Sequence, residues 1–260
     1  MIDFYIIHSP ERSIEDLRRK LGEIENTKVF IIPGKFLRSD QNLEKEYDAA
    51  RAKLLNGRNL TIGEIGCAMA HNICRSKAQL SSNLSIILED DVGIYKMSLL
   101  KKFLELADKS VSITDNLVIN LAGESSAKEN LPKFPKSDSS WRKTFGATPL
   151  AAAYLLTPKS AGVLLKNNTP VTNVADWPPT DIKFYKSRHA LFIHQENKSK
   201  SLISDKKGNG RRGFSRIDLM GIYIGIYFLR QKKQFLGFKD FYFNLWLPRM
   251  KAMITHRIKI

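Results

Sequence analysis

Leu84-Ser85-Ile86-Ile87-Leu88-Glu89-Asp90-Asp91 is an almost continuous apolar run that stops in three carboxylates. Introduced by the Ser81-Ser82-Asn83 turn, it reads as a strand covered on both faces, the kind found in a sheet with helices on either side. Adjacent carboxylates repel, so positive charge must compensate them, from a metal ion or from basic side chains. If strand geometry persists, Glu89 and Asp91 project to one side and Asp90 to the other. Such oxygen donors suit Mg²⁺ or Mn²⁺, which keep waters and complete their shell with phosphates. A solvated acidic turn has the same sequence, and the triplet alone does not separate the two.

Upstream, the short apolar run from Met1 to Ile7 lacks a preceding basic region and resembles a first strand, not a signal peptide. Ser9-Pro10 is a helix-start signal, and Ile14, Leu17, Leu21 and Ile24 follow at helical spacing. Val29 to Ile32 is a second strand, ended by Pro33-Gly34. After a polar stretch over 35–60, Thr61-Ile62-Gly63-Glu64 fits a capping box opening a helix marked by Ile65, Met69, Ile73 and Leu80.

Downstream, Leu117 to Leu121 and Leu150 to Leu156 read as strands, with a Ser/Lys/Pro-rich loop over 124–144 between them. Thr157-Pro158 caps a helix carrying Ala161, Leu164 and Leu165, and Ala190 to Ile193 is a late strand. This alternation of strands and helices predicts an α/β fold.

The formal charge of +16 on 260 residues, with a pI near 9.8, requires an anionic partner: nucleic acid, an acidic membrane surface or a phosphorylated substrate. Much of it lies after Lys206, where basic residues alternate with aromatics from Tyr223 to Trp246. We therefore divide the chain into a catalytic domain over 1–205 and a basic, aromatic helical appendage over 206–260. No apolar run reaches the roughly 20 residues that span a bilayer, so the chain reads as soluble or peripheral. Cys67 and Cys74 sit seven residues apart on one helix, about 10 Å along its axis and beyond disulfide reach, which points to a reduced, cytoplasmic compartment. With His71 they share a helix face, but no further Cys or His pair completes a zinc site at usual spacing, which favours a packed face with His71 hydrogen-bonded near the acidic turn.

Leu60-Thr61-Ile62-Gly63-Glu64-Ile65-Gly66-Cys67 with His71, followed by Ile87-Leu88-Glu89-Asp90-Asp91-Val92, resembles glycosyltransferase family 25, the bacterial lipooligosaccharide galactosyltransferase family. Pro10-Glu11-Arg12 after the first strand, Ala153-Tyr154-Leu155-Leu156, and Asp176-Trp177 extend the resemblance over about residues 1 to 203. Ala70, Thr157-Pro158 and Pro178-Pro179 depart from the family pattern.

The resemblance implies a GT-A-like, Rossmann-like mixed sheet flanked by helices. It also implies inverting transfer of galactose from UDP-galactose to a lipooligosaccharide or LPS core acceptor, in a β-1,4 linkage. By the same resemblance Glu89 and Asp91 hold the Mn²⁺ or Mg²⁺ with the diphosphate, and Asp176, or in second place Asp181, takes the acceptor proton. Arg12, Gly63, Glu64, His71 and Asp90 are the expected donor-binding residues, and His194, at the end of the late strand, is a third candidate metal ligand. Arg12 opposes a helix dipole there, which favours a functional reason, while Glu64 also has a structural role in the capping box. The acceptor is then lipid-linked, and the basic appendage suits an anionic membrane at the cytoplasmic face of the bacterial inner membrane.

Two other classes compete. A non-catalytic protein binding nucleic acid or an anionic membrane would explain the charge, but no zinc-finger, RRM or KH motif is present to support the nucleic-acid form. A degenerate transferase kept as a membrane scaffold would share every motif, and only metal-dependent UDP release separates it from an enzyme.

Overall fold

Val29 to Ile32 and the N-terminal apolar run pair as parallel neighbours. In the computed structural model, which describes residues 1–35, 37, 43–56, 58–123, 140–144, 151–175 and 181–194, the first elements are β1 (Ile2–His8), α1 (Glu15–Gly22) and β2 (Thr27–Pro33). They are followed by α2 (Ala49–Asn56), α3 (Ile62–Leu80), β3 (Leu84–Glu89), β4 (Val92–Ile94) and α4 (Met97–Ser110). The remaining elements are β5 (Leu117–Asn120), β6 (Ala122–Gly123), β7 (Trp141–Lys143), β8 (Ala153–Leu156), α5 (Pro158–Asn167), β9 (Lys183–Ser187) and β10 (Phe192–His194). No helix among the described residues is long and apolar enough to cross a membrane.

A seven-stranded mixed sheet runs in the order β2-β1-β3-β8-β5-β9-β7, and β4-β10-β6 form a second, small sheet. β1 is parallel to both β2 and β3, while β8 is antiparallel to β3 and β5. The chain therefore leaves β1 to one side through α1 and returns to its other side as β3. That reversal falls at the carboxyl ends of β1 and β3, where the crevice of an α/β sheet binds ligands.

Side-chain alternation sorts the core onto two faces. Phe4, Ile6, Ile86 and Leu88 pack with Leu17 and Leu21 of α1 and with Leu100, Phe103 and Leu104 of α4. Tyr5, Ile7, Ile87, Tyr154 and Leu156 pack with Ala70, Cys74 and Ala78 of α3 and with Ala161 and Leu164 of α5. The mixed α/β sheet flanked by helices agrees with the sequence. The capping box of Thr61 and Glu64 forms as expected, and Thr157 makes its own with Ser160.

Three expectations change. Ser9-Pro10 does not start a helix: α1 begins at Glu15, and residues 9–12 form a turn closed by Arg12 N–H donating to the Ser9 carbonyl at 3.1 Å. The end of the 124–144 stretch carries β7, which pairs antiparallel with β9, while 124–139 lie outside the described residues. The late strand is Phe192–His194, two residues later than its expected start at Ala190. The proposed appendage over 206–260 lies wholly outside the described residues.

Candidate functional site

Both loops that meet at the crevice are built from short-range rules. β3 ends at Glu89 and the chain turns through Asp90 and Asp91 before β4. Glu89 follows the alternation of Ile87 and projects toward α3, whereas Asp90 projects toward the turn after β1. The pattern breaks at Asp91: because the strand has ended, Asp91 shares a cation with Asp90 and does not align with Glu89.

That cation is Arg12. Its Nη1 donates to Asp90 Oδ1 at 2.6 Å and to Asp91 Oδ2 at 3.2 Å, and the Ser9 backbone N–H donates to Asp90 Oδ2 at 2.6 Å. His8 Nδ1 lies 3.8 Å from the same Asp90 oxygen. Burial works against the Arg12 charge, but the hydrogen bond and charge of Asp90, with Asp91 adding, raise the guanidinium above its ordinary range. The compensation demanded by three adjacent carboxylates is thus met in part by a side chain carried on the Ser9–Arg12 turn. Arg12 lies before the helix, so the dipole argument made for it from sequence does not apply.

Glu89 belongs to a different set of contacts. His71 Nε2 is 3.2 Å from Glu89 Oε1, and His71 Nδ1 is 2.9 Å from Tyr154 Oη. Cys67 Sγ is 4.0 Å from the same Glu89 oxygen, and donor atoms of Cys67, His71 and Glu89 all lie within 4.8 Å of one another. Cys74 takes no part in this group: it is sealed in the core, and burial pushes its thiol up to about 12.

His71 and Arg75 are fully buried on α3, and the Arg75 guanidinium lies 5.9 Å over the Tyr154 ring. Burial pushes the Tyr154 phenol up, and the Arg75 charge offsets only part of that, so the hydroxyl keeps its proton and can donate. Arg75 Nη2 donates to the Ala175 carbonyl at 2.9 Å and Nη1 to Asn72 Oδ1 at 3.2 Å. Among the described residues it has no carboxylate partner, and its Nε is buried without a hydrogen bond. A desolvated cation over an aromatic face gains about 2 kcal/mol, which together with the Ala175 and Asn72 bonds accounts for its toleration in the core.

The other expected residues divide. Glu64 accepts the Thr61 backbone N–H at 2.8 Å and pairs with both Arg58 nitrogens, at 2.5 and 2.7 Å. Burial alone would raise its carboxyl, but Arg58 and Thr61 more than reverse this and hold it below the ordinary range. Its oxygens are thus engaged in capping the start of α3. Gly63 stands in the first turn of the same helix. Gly66 admits backbone: a Cβ there would stand 2.2 Å from the Lys35 carbonyl oxygen. β10 pairs His194 with Val92, which places its backbone across the ladder from the residue after Asp91.

Asp181, the second candidate base, lies toward the other end of the sheet from the acidic turn. It is exposed and lies two residues before Lys183, which pairs with Leu117 at the start of β5, whereas the Glu89 end of the sheet lies beyond Asn120. Strand length, about 3.3 Å per residue, separates Asp181 from the acidic turn. Asp176 lies outside the described residues.

Sequence reasoning passed over His8, Ser9 and Arg75. One signal for Arg75 was available: Ala68, His71, Arg75 and Ala78 recur at spacings of three and four and are all fully buried or nearly so. Two polar residues inside such a stripe mark a buried polar network. His8 and Ser9 act through nearness to Asp90, which only the parallel pairing of β1 with β3 reveals.

A family model described as Glycosyltransferase family 25 (LPS biosynthesis protein) matches residues 25–181, more than half of the chain. No curated protein matches it.

Proposed function

The chain belongs to glycosyltransferase family 25, the LPS biosynthesis family, and from that premise we propose that it transfers galactose from UDP-galactose to a lipooligosaccharide core acceptor. Membership makes it a glycosyltransferase, with a nucleotide-sugar donor and an oligosaccharide acceptor. The finer reading is inversion at the anomeric carbon on a GT-A-like sheet, with a β-1,4 linkage to a lipid-linked acceptor at an anionic membrane. The observation that carries the assignment of the donor site is the position of the Glu89-Asp90-Asp91 turn, at the carboxyl ends of β1 and β3 where the strand order reverses.

Carboxylate oxygens are the donors that a hard divalent cation takes. Glu89 and Asp91 supply carboxylate oxygens at a crevice edge, with side chains 26% and 10% exposed. Of the two contacts made by Arg12 Nη1, the one to Asp91 is the longer, so Asp91 is the more readily released to a new partner. Glu89 and Asp91, with His194 as a third ligand, would hold Mn²⁺ or Mg²⁺. When bound, the ion neutralises charge on the departing diphosphate. Asp90 stays with Ser9 and Arg12 and keeps the turn in place. Arg12, the donor-side cation, fixes the carboxylates, and Asp176 removes the acceptor hydroxyl proton as the bond to the anomeric carbon forms.

UDP release from UDP-galactose, UDP-glucose and UDP-N-acetyl sugars, with and without Mn²⁺, tests this reading. Metal-dependent release with a preference for UDP-galactose supports it. No release from any donor, by a folded chain given Mn²⁺ and a core acceptor, would overturn it. The same membership covers a catalytically inert scaffold, and that outcome would favour it.

A further inference from the structure

We infer that His71, Tyr154 and Arg75 act as a positioning relay that sets the orientation of the Glu89 carboxylate. The inference deepens the donor-site reading above and rests on it for its kinetic consequence, though not for its geometry.

An ionised Glu89 carboxylate can only accept, so His71 Nε2, 3.2 Å from Oε1, carries the hydrogen between them. In neutral imidazole the other nitrogen is then an acceptor. The Tyr154 hydroxyl, 2.9 Å from His71 Nδ1, supplies the matching proton. The chain of donors therefore runs one way, from Tyr154 O–H to His71 Nδ1 and from His71 Nε2–H to Glu89. It fixes a single tautomer and a single ring orientation, and the His71 and Tyr154 rings lie nearly parallel, at 13° with centroids 5.8 Å apart.

Arg75 closes the relay from below. It is one helical turn after His71, so both side chains leave α3 on the same face. Its guanidinium covers the Tyr154 ring and also grips the Ala175 carbonyl. α3 thus holds Glu89 through His71 and, through Arg75, the backbone immediately before Asp176. His71 and Tyr154 are both fully buried, and solvent does not compete for these bonds.

The experiment uses the full chain. Histidine-selective ¹⁵N spectra at one fixed pH are recorded for the wild type, Tyr154→Phe and Arg75→Lys, and the same proteins are assayed for UDP release across a Mn²⁺ titration. The wild type is expected to show His71 as the Nε2–H tautomer with a hydrogen-bonded Nδ1, and Tyr154→Phe is expected to lose the Nδ1 signature. Outer partners of metal-ligating groups typically change metal affinity or activity by about 10–100-fold. Tyr154→Phe should raise the half-maximal Mn²⁺ concentration in that range while the melting curve stays cooperative. His71→Gln, whose amide nitrogen reaches about as far as Nε2, should keep more activity than His71→Asn, which does not. An Nδ1–H tautomer in the wild type, or a Tyr154→Phe protein with unchanged Mn²⁺ dependence, overturns the relay. A wild type that shows the Nε2–H tautomer but never releases UDP sinks the transferase reading and leaves the relay geometry standing.

Discussion

A single guanidinium nitrogen, Nη1 of Arg12, donates to Asp90 at 2.6 Å and to Asp91 at 3.2 Å, so one cation carried on a turn holds two consecutive carboxylates of another loop. Asp90 is 6% exposed at its side chain, and removing its cation leaves a nearly buried charge facing the Ser9 N–H and His8. Arg12→Met is expected to lower unfolding free energy by about 3 kcal/mol in urea titration. Arg12→Lys keeps a positive charge on the turn and should cost less than Arg12→Met.

Acidification reads out the Glu64 box. Its carboxyl is held below the ordinary value in the folded chain, so it contributes stability above the unfolded pKa of about 4.3 and loses it as pH falls through the lower folded value. The difference in melting temperature between wild type and Glu64→Gln should therefore be largest near neutral pH. It should shrink below about pH 4.3, and a constant difference down to the acid limit would contradict the assignment.

Gly66→Ala brings a methyl against the Lys35 carbonyl, a backbone atom that cannot rotate away. Overpacking of this kind costs about 1–3 kcal/mol. A lower midpoint in chemical denaturation at unchanged m-value is expected.

Glu89→Ala and Asp91→Ala should each reduce Mn²⁺-dependent UDP release by about a hundredfold or more, since a loss near 3 kcal/mol at the transition state corresponds to that factor. Chelation of divalent cations by EDTA should do the same to the wild type, reversibly. Asp176→Asn should abolish transfer to the acceptor while leaving the melting temperature unchanged, and near-normal turnover would remove Asp176 from the base role.

Deleting residues 206–260 should weaken co-sedimentation with liposomes rich in anionic lipid. Each Lys or Arg near such a surface contributes about 1 kcal/mol, and added salt should erase the difference between the two chains. Unchanged binding would dissociate the basic segment from the membrane.

The sheet was legible because its central strands are buried on both faces and so appear as apolar runs: β1, β3, β5 and β8 all sit where those runs fall. β9, by contrast, reads Lys-Phe-Tyr-Lys-Ser next to the edge strand β7, too short and polar to stand out. Ser9-Pro10 carried a correct local preference with the wrong product: the Ser9 hydroxyl and carbonyl accept the Glu11 and Arg12 N–H groups, but these close only a turn and α1 begins at Glu15. In the candidate site, the acidic turn and His71 were visible as motifs. The partition of Glu89 to α3 and of Asp90 and Asp91 to Arg12 was not, since it depends on where the strand stops and on which loop lies opposite.

β10 is three residues long, yet it is paired on both sides, with β4 next to the acidic turn and with β6. It therefore sets the earliest admissible stop for any shortened version of the chain. A stop codon after His194 spares the ladder that braces Val92, whereas one placed before Phe192 removes the middle strand of that sheet and leaves β4 and β6 with nothing between them.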